Sequence, residues 1–146
     1  MNDPRPQLAS GVRRRVASRA VGQVALASVI ALLGALWLTG RGEARAGTAL
    51  VFGHAVGQAV CASWLLGALI GFDRDAAGVV GATLGLSFYR MLLATAALVG
   101  GAALWDLSPT PLVLGFIATR VWGHVVEGLA LRDLVAAARS GTARAP

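Results

Sequence analysis

The stretch Ala20–Gly40, AVGQVALASVIALLGALWLTG, is a run of 21 residues without a charged side chain. A helix needs about 20 such residues to cross the roughly 30 Å hydrocarbon core of a bilayer. A second uncharged run, of 27 residues, covers 46–72. The region 76–131 is long enough for two more spans, and Trp105–Pro111, WDLSPTP, divides it because two prolines and an acid do not continue a lipid-exposed helix. The sequence therefore predicts four transmembrane helices, at about 20–40, 46–72, 77–105 and 111–131.

The composition of the whole chain agrees with this reading. The 146 residues are 56% hydrophobic and only 14% charged, and their mean hydropathy is +0.68. Soluble domains carry roughly a quarter charged residues, and disordered chains are poor in apolar residues. A single cysteine leaves no internal disulfide framework. We expect an all-α, polytopic membrane protein whose four transmembrane helices pack as two hairpins.

Arginine distribution predicts the orientation of the spans, because short cytoplasmic loops carry an excess of basic residues. All 13 basic residues are arginine, and nine of them fall on the side of the two termini against two on the opposite side, Arg41 and Arg45. The remaining two lie within the spans. This places a basic N-terminal segment (1–19) and a C-terminal tail (132–146) in the cytoplasm, flanking one transmembrane domain (20–131).

The basic N-terminal segment has a predicted partner of its own. Its run Arg13-Arg14-Arg15 is suited to anionic lipid headgroups, which attract arginines near the membrane surface at about 1 kcal/mol each. No aromatic or base-reading motif accompanies these arginines, so we expect no binding of nucleic acid.

Glycines at four-residue spacing predict close helix packing. Lipid tails solvate leucine as well as protein does, so helices in membranes associate through small residues and polar contacts. The six glycines with this spacing are Gly53, Gly57, Gly67, Gly71, Gly81 and Gly85. Such spacing also arises by chance in a chain with 19 glycines. It predicts tight packing within the chain or between copies of a homo-oligomer, without naming a partner.

Polar side chains inside the predicted spans are the first candidates for function, because an ionisable group there costs about 3 kcal/mol on insertion scales. Arg120 and Glu127 are seven residues apart and share one helical face with a histidine between them. A histidine and a glutamine on the second span are four residues apart and also share a face. In chain order the candidates are His54, Gln58, Arg90, Arg120, His124 and Glu127.

The two intramembrane arginines carry the functional hypothesis. A guanidinium stays protonated, so Arg90 and Arg120 cannot avoid the cost of burial by becoming neutral. Two arginines against Glu127 leave a charge of +1 within the spans. Either both side chains reach interfaces, backbone carbonyls or Glu127, or an acidic group of another membrane subunit, or an anion, completes the site.

Catalytic and cofactor chemistry is not indicated. His124-x-x-Glu127 has the spacing of two ligands in carboxylate-bridged metal bundles, but the spans offer no further acid, so we expect no metal. There is no phosphate-binding loop, no Ser-His-Asp arrangement and no dinucleotide fingerprint. We expect neither an enzyme nor a cofactor.

Two segments of the second half carry a family resemblance. Leu86–Leu93, LSFYRMLL, the proline-containing turn and Leu112–Arg120, LVLGFIATR, resemble the closing hairpin of the ATP synthase protein I family. They are also similar to the small arginine-bearing subunit encoded with N-type ATPases. Proteins of the first group are short, basic at the N-terminus and usually four-helical, and typically carry a lysine where Arg90 stands here.

The resemblance implies a function. It points to an accessory protein of the bacterial inner membrane that helps the c subunits of an F-type ATP synthase assemble into their ring, and a role in Mg²⁺ supply has been proposed for such proteins. Each c subunit presents an intramembrane carboxylate, which is an acidic partner suited to Arg90 and Arg120. The alternatives from the residues alone are a small oligomeric transporter or channel and a structural membrane scaffold.

Overall fold

The computed structural model describes residues 5–71 and 87–142, and this part of the chain is helical apart from two short turns. The prediction of an all-α protein with four membrane-spanning helices is confirmed, since each helix contains a stretch long and apolar enough to cross a membrane. Gly81, Gly85 and the first ten residues of the predicted third span (77–86) lie outside the described residues. The helices are α1 (Arg5–Gly40), α2 (Ala44–Gly71), α3 (Ser87–Trp105) and α4 (Pro109–Thr142).

Two helices extend beyond the predicted spans. α1 begins at Arg5, 15 residues before the apolar run, and α4 continues to Thr142. Arginine and alanine are strong helix formers, so the helices persist where the apolar pattern has ended. The transmembrane stretches by hydropathy are Val16–Gly40, Ala44–Gly67, Ser87–Trp105 and Pro109–Asp133.

The two short turns have residues suited to them. Gly42 ends the turn after α1 with a φ of 85°, a left-handed conformation that glycine adopts without steric cost. Asp106, after α3, has a φ of 50°, which aspartate tolerates better than most residues. α4 then begins with Pro109 at its first position, where the missing N–H would have no helical partner.

Ion pairs mark the two ends of the bundle. At one end, here called the terminal end, Arg19 of α1 donates to Asp133 of α4 at 2.7 Å. At the other, the turn end, Arg45 of α2 pairs with Asp106 in the turn between α3 and α4. α1 and α3 therefore run towards the turn end, and α2 and α4 run away from it, parallel to each other.

Helix α2 is the centre of the bundle. It packs against all three other helices, and its interface with α4 is the most extensive in the structure, followed by the interface that closes the α1–α2 hairpin. In the second hairpin, α3 and α4 touch each other over a small area and both pack mainly on α2. α4 also contacts α1, so the helices α1, α2 and α4 form a three-helix unit with α3 on the far side of α2.

The buried apolar residues form three small clusters at successive levels. The cluster at the terminal end joins Val16 and Ala130, and the middle one joins Val60, Ala94 and Phe116. The cluster at the turn end consists of Ala49, Leu107 and Leu112. Large apolar side chains elsewhere point outwards, as expected for helices whose outer faces contact lipid.

Candidate functional site

Close packing of α2 on α4 brings the backbones of the two helices together and sets the position of every polar side chain between them. A Cβ added to Gly53 would overlap the carbonyl oxygen of Leu112, and one added to Gly115 would overlap that of Leu50. A Cβ on Gly57 would lie 2.7 Å from the Cβ of Thr119. The first pair of glycines predicted to pack tightly thus faces α4.

The other predicted packing glycines are less informative. Gly67 is buried in α2, and Gly71 is the last residue of that helix. On α4, Gly115 and Gly123 complete the close interface, since a Cβ on Gly123 would overlap the sulfur of Cys61. The sequence analysis missed these two, although Gly115, Thr119 and Gly123 are small residues at four-residue spacing, which is the signal that identified Gly53 and Gly57.

His54 lies at the junction of three helices. It is 8% exposed, and its two ring nitrogens contact Thr119 of α4, at 2.8 Å from Nδ1, and Ser28 of α1, at 3.1 Å from Nε2. The hydroxyl of Thr119 donates its only proton to the carbonyl oxygen of Gly115. Thr119 can therefore only accept from His54, which makes Nδ1–H the donor and Nε2 the acceptor for the Ser28 hydroxyl. His54 is thereby a neutral, fully bonded link between helices.

A second polar cluster, here called the Arg120 cluster, lies along α4 and reaches Cys61 of α2. Nη1 of Arg120 donates to Oε1 of Glu127 at 3.0 Å and to the sulfur of Cys61 at 3.3 Å. Nη2 of Arg120 lies 3.3 Å from Nε2 of His124, and Nδ1 of His124 lies 3.2 Å from Oε2 of Glu127. Because a guanidinium only donates, Nε2 of His124 accepts and Nδ1–H donates to Glu127.

The burial of the Arg120 cluster is uneven. The side chains of Arg120 and Glu127 are 14% and 11% exposed, whereas that of His124 is 66% exposed. Arg120 is 11 residues from the start of α4 and 13 from Asp133, or about 17 and 20 Å at the helical rise of 1.5 Å per residue. An exposed imidazole, bonded to an ion pair, therefore lies on the outer surface of α4 near the middle of the span.

Arg90 lies in the first turn of α3 and is 9% exposed. It shares a face of α3 with Ala94, which packs against Val60 of α2 and Phe116 of α4. The charges of Glu127 and Arg120 act on the Arg90 guanidinium, the first attracting and the second repelling it. Arg90 therefore lies on the face of α3 that packs against α2 and α4.

Gln58 belongs to a third feature, a cavity of about 410 Å³ between α1, α2 and α4. Gln58 lines it from α2, Gln23 from α1 and Glu127 from α4, and most of the remaining lining is apolar. The Oε1 atom of Gln23 is buried and receives no hydrogen bond from residues 5–71 or 87–142.

The structure divides the predicted polar residues into two groups. Arg120, His124 and Glu127 form one cluster, with Arg90 close enough to be affected by its charges. His54 belongs to a separate link with Ser28 and Thr119, on the side of α4 that faces α1. Thr119 and Cys61 were not among the predicted site residues. The spacing of small residues on α4 marks Thr119 as a packing residue, but the polar contacts of Thr119 with His54 and of Cys61 with Arg120 arise only through the pairing of α2 with α4.

Metal ligands are sparse in the described part of the chain. No group of three or more His, Cys, Asp or Glu side chains converges among residues 5–71 and 87–142. Within the Arg120 cluster, the two oxygens of Glu127 already accept from Arg120 and His124.

Fold and cluster together define a multi-pass, four-helix membrane protein with an ion pair inside its spans. Comparison of the sequence and structure with protein-family models, with curated proteins and with solved structures found no match.

Proposed function

We propose that this protein is an accessory membrane protein that binds intramembrane carboxylates of the c subunits of an F-type ATP synthase and assists their assembly into a ring. The observation that carries the proposal is the 66% exposed imidazole of His124, bonded to a buried ion pair in the middle of a span. Both ring nitrogens are bonded within the Arg120 cluster, so a partner would reach the ion pair by exchanging these hydrogen bonds, which lipid tails cannot do. A polar group of another membrane protein is the occupant that suits this surface.

The charge of the site favours an acidic partner. Near the middle of α4 the guanidinium of Arg120 is paired with Glu127, and Arg90, in the first turn of α3, is a second buried cation. A carboxylate presented by a neighbouring transmembrane helix would have a guanidinium to pair with. Hydrogen bonds between a guanidinium and a carboxylate are among the strongest that side chains make, because both groups are charged. The resemblance to the ATP synthase protein I family supports the choice of c subunits.

The geometry suggests how the partner would be held. Arg120 is already paired with Glu127, which is one of the two alternatives that the sequence left open for this arginine. A partner carboxylate would approach from the side of His124, exchange with Glu127 on Arg120, and be released when Glu127 returns. Such an exchange suits a transient assembly contact, in which neither the bound nor the released state leaves the guanidinium without an anion.

The test is co-purification of c subunits with variants of this protein from native membranes. We expect Arg120→Leu and Arg90→Leu each to lower recovery of c subunits, and Glu127→Gln to raise it by removing the competing anion from Arg120. Arg41→Gln, at the exposed turn end, is the matched control and should leave recovery unchanged. Recovery is normalised to the amount of folded protein, because Glu127→Gln also removes a buried ion pair. Equal recovery with all four variants would refute the proposal, and lower normalised recovery with Glu127→Gln would refute the exchange.

A further inference from the structure

The cavity between α1, α2 and α4 lies in the half of the bundle nearest the terminal end. Its α1 wall runs from Ala17 to Ala25, and its α4 wall runs from Thr119 to Ala130, just before the Arg19–Asp133 ion pair. Its volume, about 410 Å³, falls in the range of roughly 300–1,000 Å³ that small-molecule sites occupy. A cavity with so apolar a lining does not favour water. It suits a hydrocarbon chain.

Basic side chains surround the mouth of this cavity. On α1, Arg14, Ser18 and Arg19 line a shallow depression of about 350 Å³ that begins one turn before Ala17. On α4, Arg132 is 70% exposed beside Asp133, which pairs with Arg19. The described charges at this mouth, three arginines against one aspartate, sum to +2.

We propose that the cavity and its basic mouth form one site for an anionic phospholipid, with an acyl chain between α1, α2 and α4 and the phosphate against Arg14. The two parts lie in the order that a lipid requires. Arg14 precedes Ala17 by three residues, or about 4.5 Å along the helix axis, so the headgroup site lies about one turn of α1 beyond the hydrocarbon site, towards the terminal end. Arg19 and Arg132 both pair with Asp133, which leaves Arg14 as the more available cation.

Charge at the mouth decides between an anionic lipid and other occupants. A zwitterionic phospholipid would place a similar chain in the cavity but would gain less from a mouth with a charge of +2. A transmembrane helix of a partner protein would need a contact surface longer than this cavity, which occupies only the terminal half of the bundle. Cys61 and Glu127 belong to the Arg120 cluster and also line the cavity, so the two sites share part of one wall, while the basic mouth lies apart from the cluster at the terminal end.

Tryptophan quenching in lipid bilayers tests the proposal directly, because Trp64 and Trp122 line the cavity whereas Trp37 and Trp105 lie near the turn end. A full-length variant with Trp37, Trp105 and Trp122 changed to Phe reports from Trp64 alone. It is reconstituted with trace amounts of phosphatidylglycerol or phosphatidylcholine carrying brominated acyl chains. We expect the brominated anionic lipid to quench Trp64 several-fold more than the zwitterionic lipid at the same mole fraction.

Three variants on this background identify the site. Arg14→Gln should reduce the preference for the anionic lipid about fivefold, the effect of removing one basic residue near the surface. Arg41→Gln, at the opposite end of α1, should leave the preference unchanged. Ala20→Leu narrows the cavity and should reduce quenching by both lipids. Equal quenching by the two lipids, or a preference that survives Arg14→Gln intact, would overturn the proposal.

Discussion

Nη1 of Arg120 donates to Oε1 of Glu127 at 3.0 Å, across two turns of α4, and both side chains are almost fully buried. The chain has few acidic residues, and one of them, Glu127, neutralises an intramembrane guanidinium. The pair also connects the stability of the protein to its proposed function, because the same guanidinium is the proposed contact for a partner carboxylate.

Breaking this ion pair should destabilise the protein strongly. Removing one partner of a buried pair leaves the other as an uncompensated charge, which costs about 3–5 kcal/mol. We expect a loss in this range for Glu127→Gln, measured as the free energy of unfolding in mixed detergent micelles. The double variant Arg120→Leu/Glu127→Leu should lose less than the sum of the two single changes to leucine. Additive losses would show that the two side chains do not interact.

Adding a methyl group at the α2–α4 interface should also destabilise the bundle. Gly115→Ala places a Cβ against the carbonyl oxygen of Leu50, and neither backbone can move without separating the helices. Overpacking of this kind costs about 1–3 kcal/mol. Gly128→Ala on the same helix is the control, since nothing lies within 4 Å of its added Cβ. A matching loss of thermal stability in the two variants would contradict the close approach.

The protonation of His54 can be read by NMR. With Thr119 donating to Gly115, the imidazole carries its proton on Nδ1 and leaves Nε2 as an acceptor for Ser28. We expect the ¹⁵N shifts of His54 to show this less common tautomer. Thr119→Val should remove the preference and lower stability by about 1 kcal/mol, as for other hydrogen bonds between membrane helices. A proton found on Nε2 instead would reverse the assigned direction of the chain of hydrogen bonds.

Replacing Gln23 should stabilise the protein. Its Oε1 atom is buried and accepts no hydrogen bond within the described ranges, and a buried unsatisfied polar group costs about 1–3 kcal/mol. Gln23→Leu keeps a similar volume and removes the polar atom, so the midpoint of thermal unfolding in detergent should rise. Gln58→Leu, whose oxygen is not among the buried unsatisfied atoms, should raise it less. A fall with Gln23→Leu would indicate that the amide has a partner.

The helices of this protein could be predicted because a membrane requires uncharged runs of fixed length. Both turns and all four spans follow from Ala20–Gly40, the second run and the proline-containing segment. The extension of α1 to Arg5 could not be found this way, since outside hydrocarbon an arginine-rich segment forms a helix without an apolar pattern.

The candidate site was predictable only where its members share a helix. Spacing of seven residues places Arg120 and Glu127 on one face, so their contact follows from helical geometry alone. Which helices become neighbours is not encoded in such spacing. The contacts of Arg120 with Cys61 and of His54 with Thr119 depend on α2 lying beside α4, and this arrangement follows from glycine packing in three dimensions.

The position of α4 has a consequence for biogenesis. Ribosomes make this helix after α1, α2 and α3, yet it supplies Thr119 to His54 and covers the glycine face of α2. Until α4 leaves the insertion machinery, α2 lacks its most extensive helix–helix interface. A chain truncated before α4 would expose a polar imidazole to lipid, which is a feature that membrane proteases can use to select unfinished molecules for degradation.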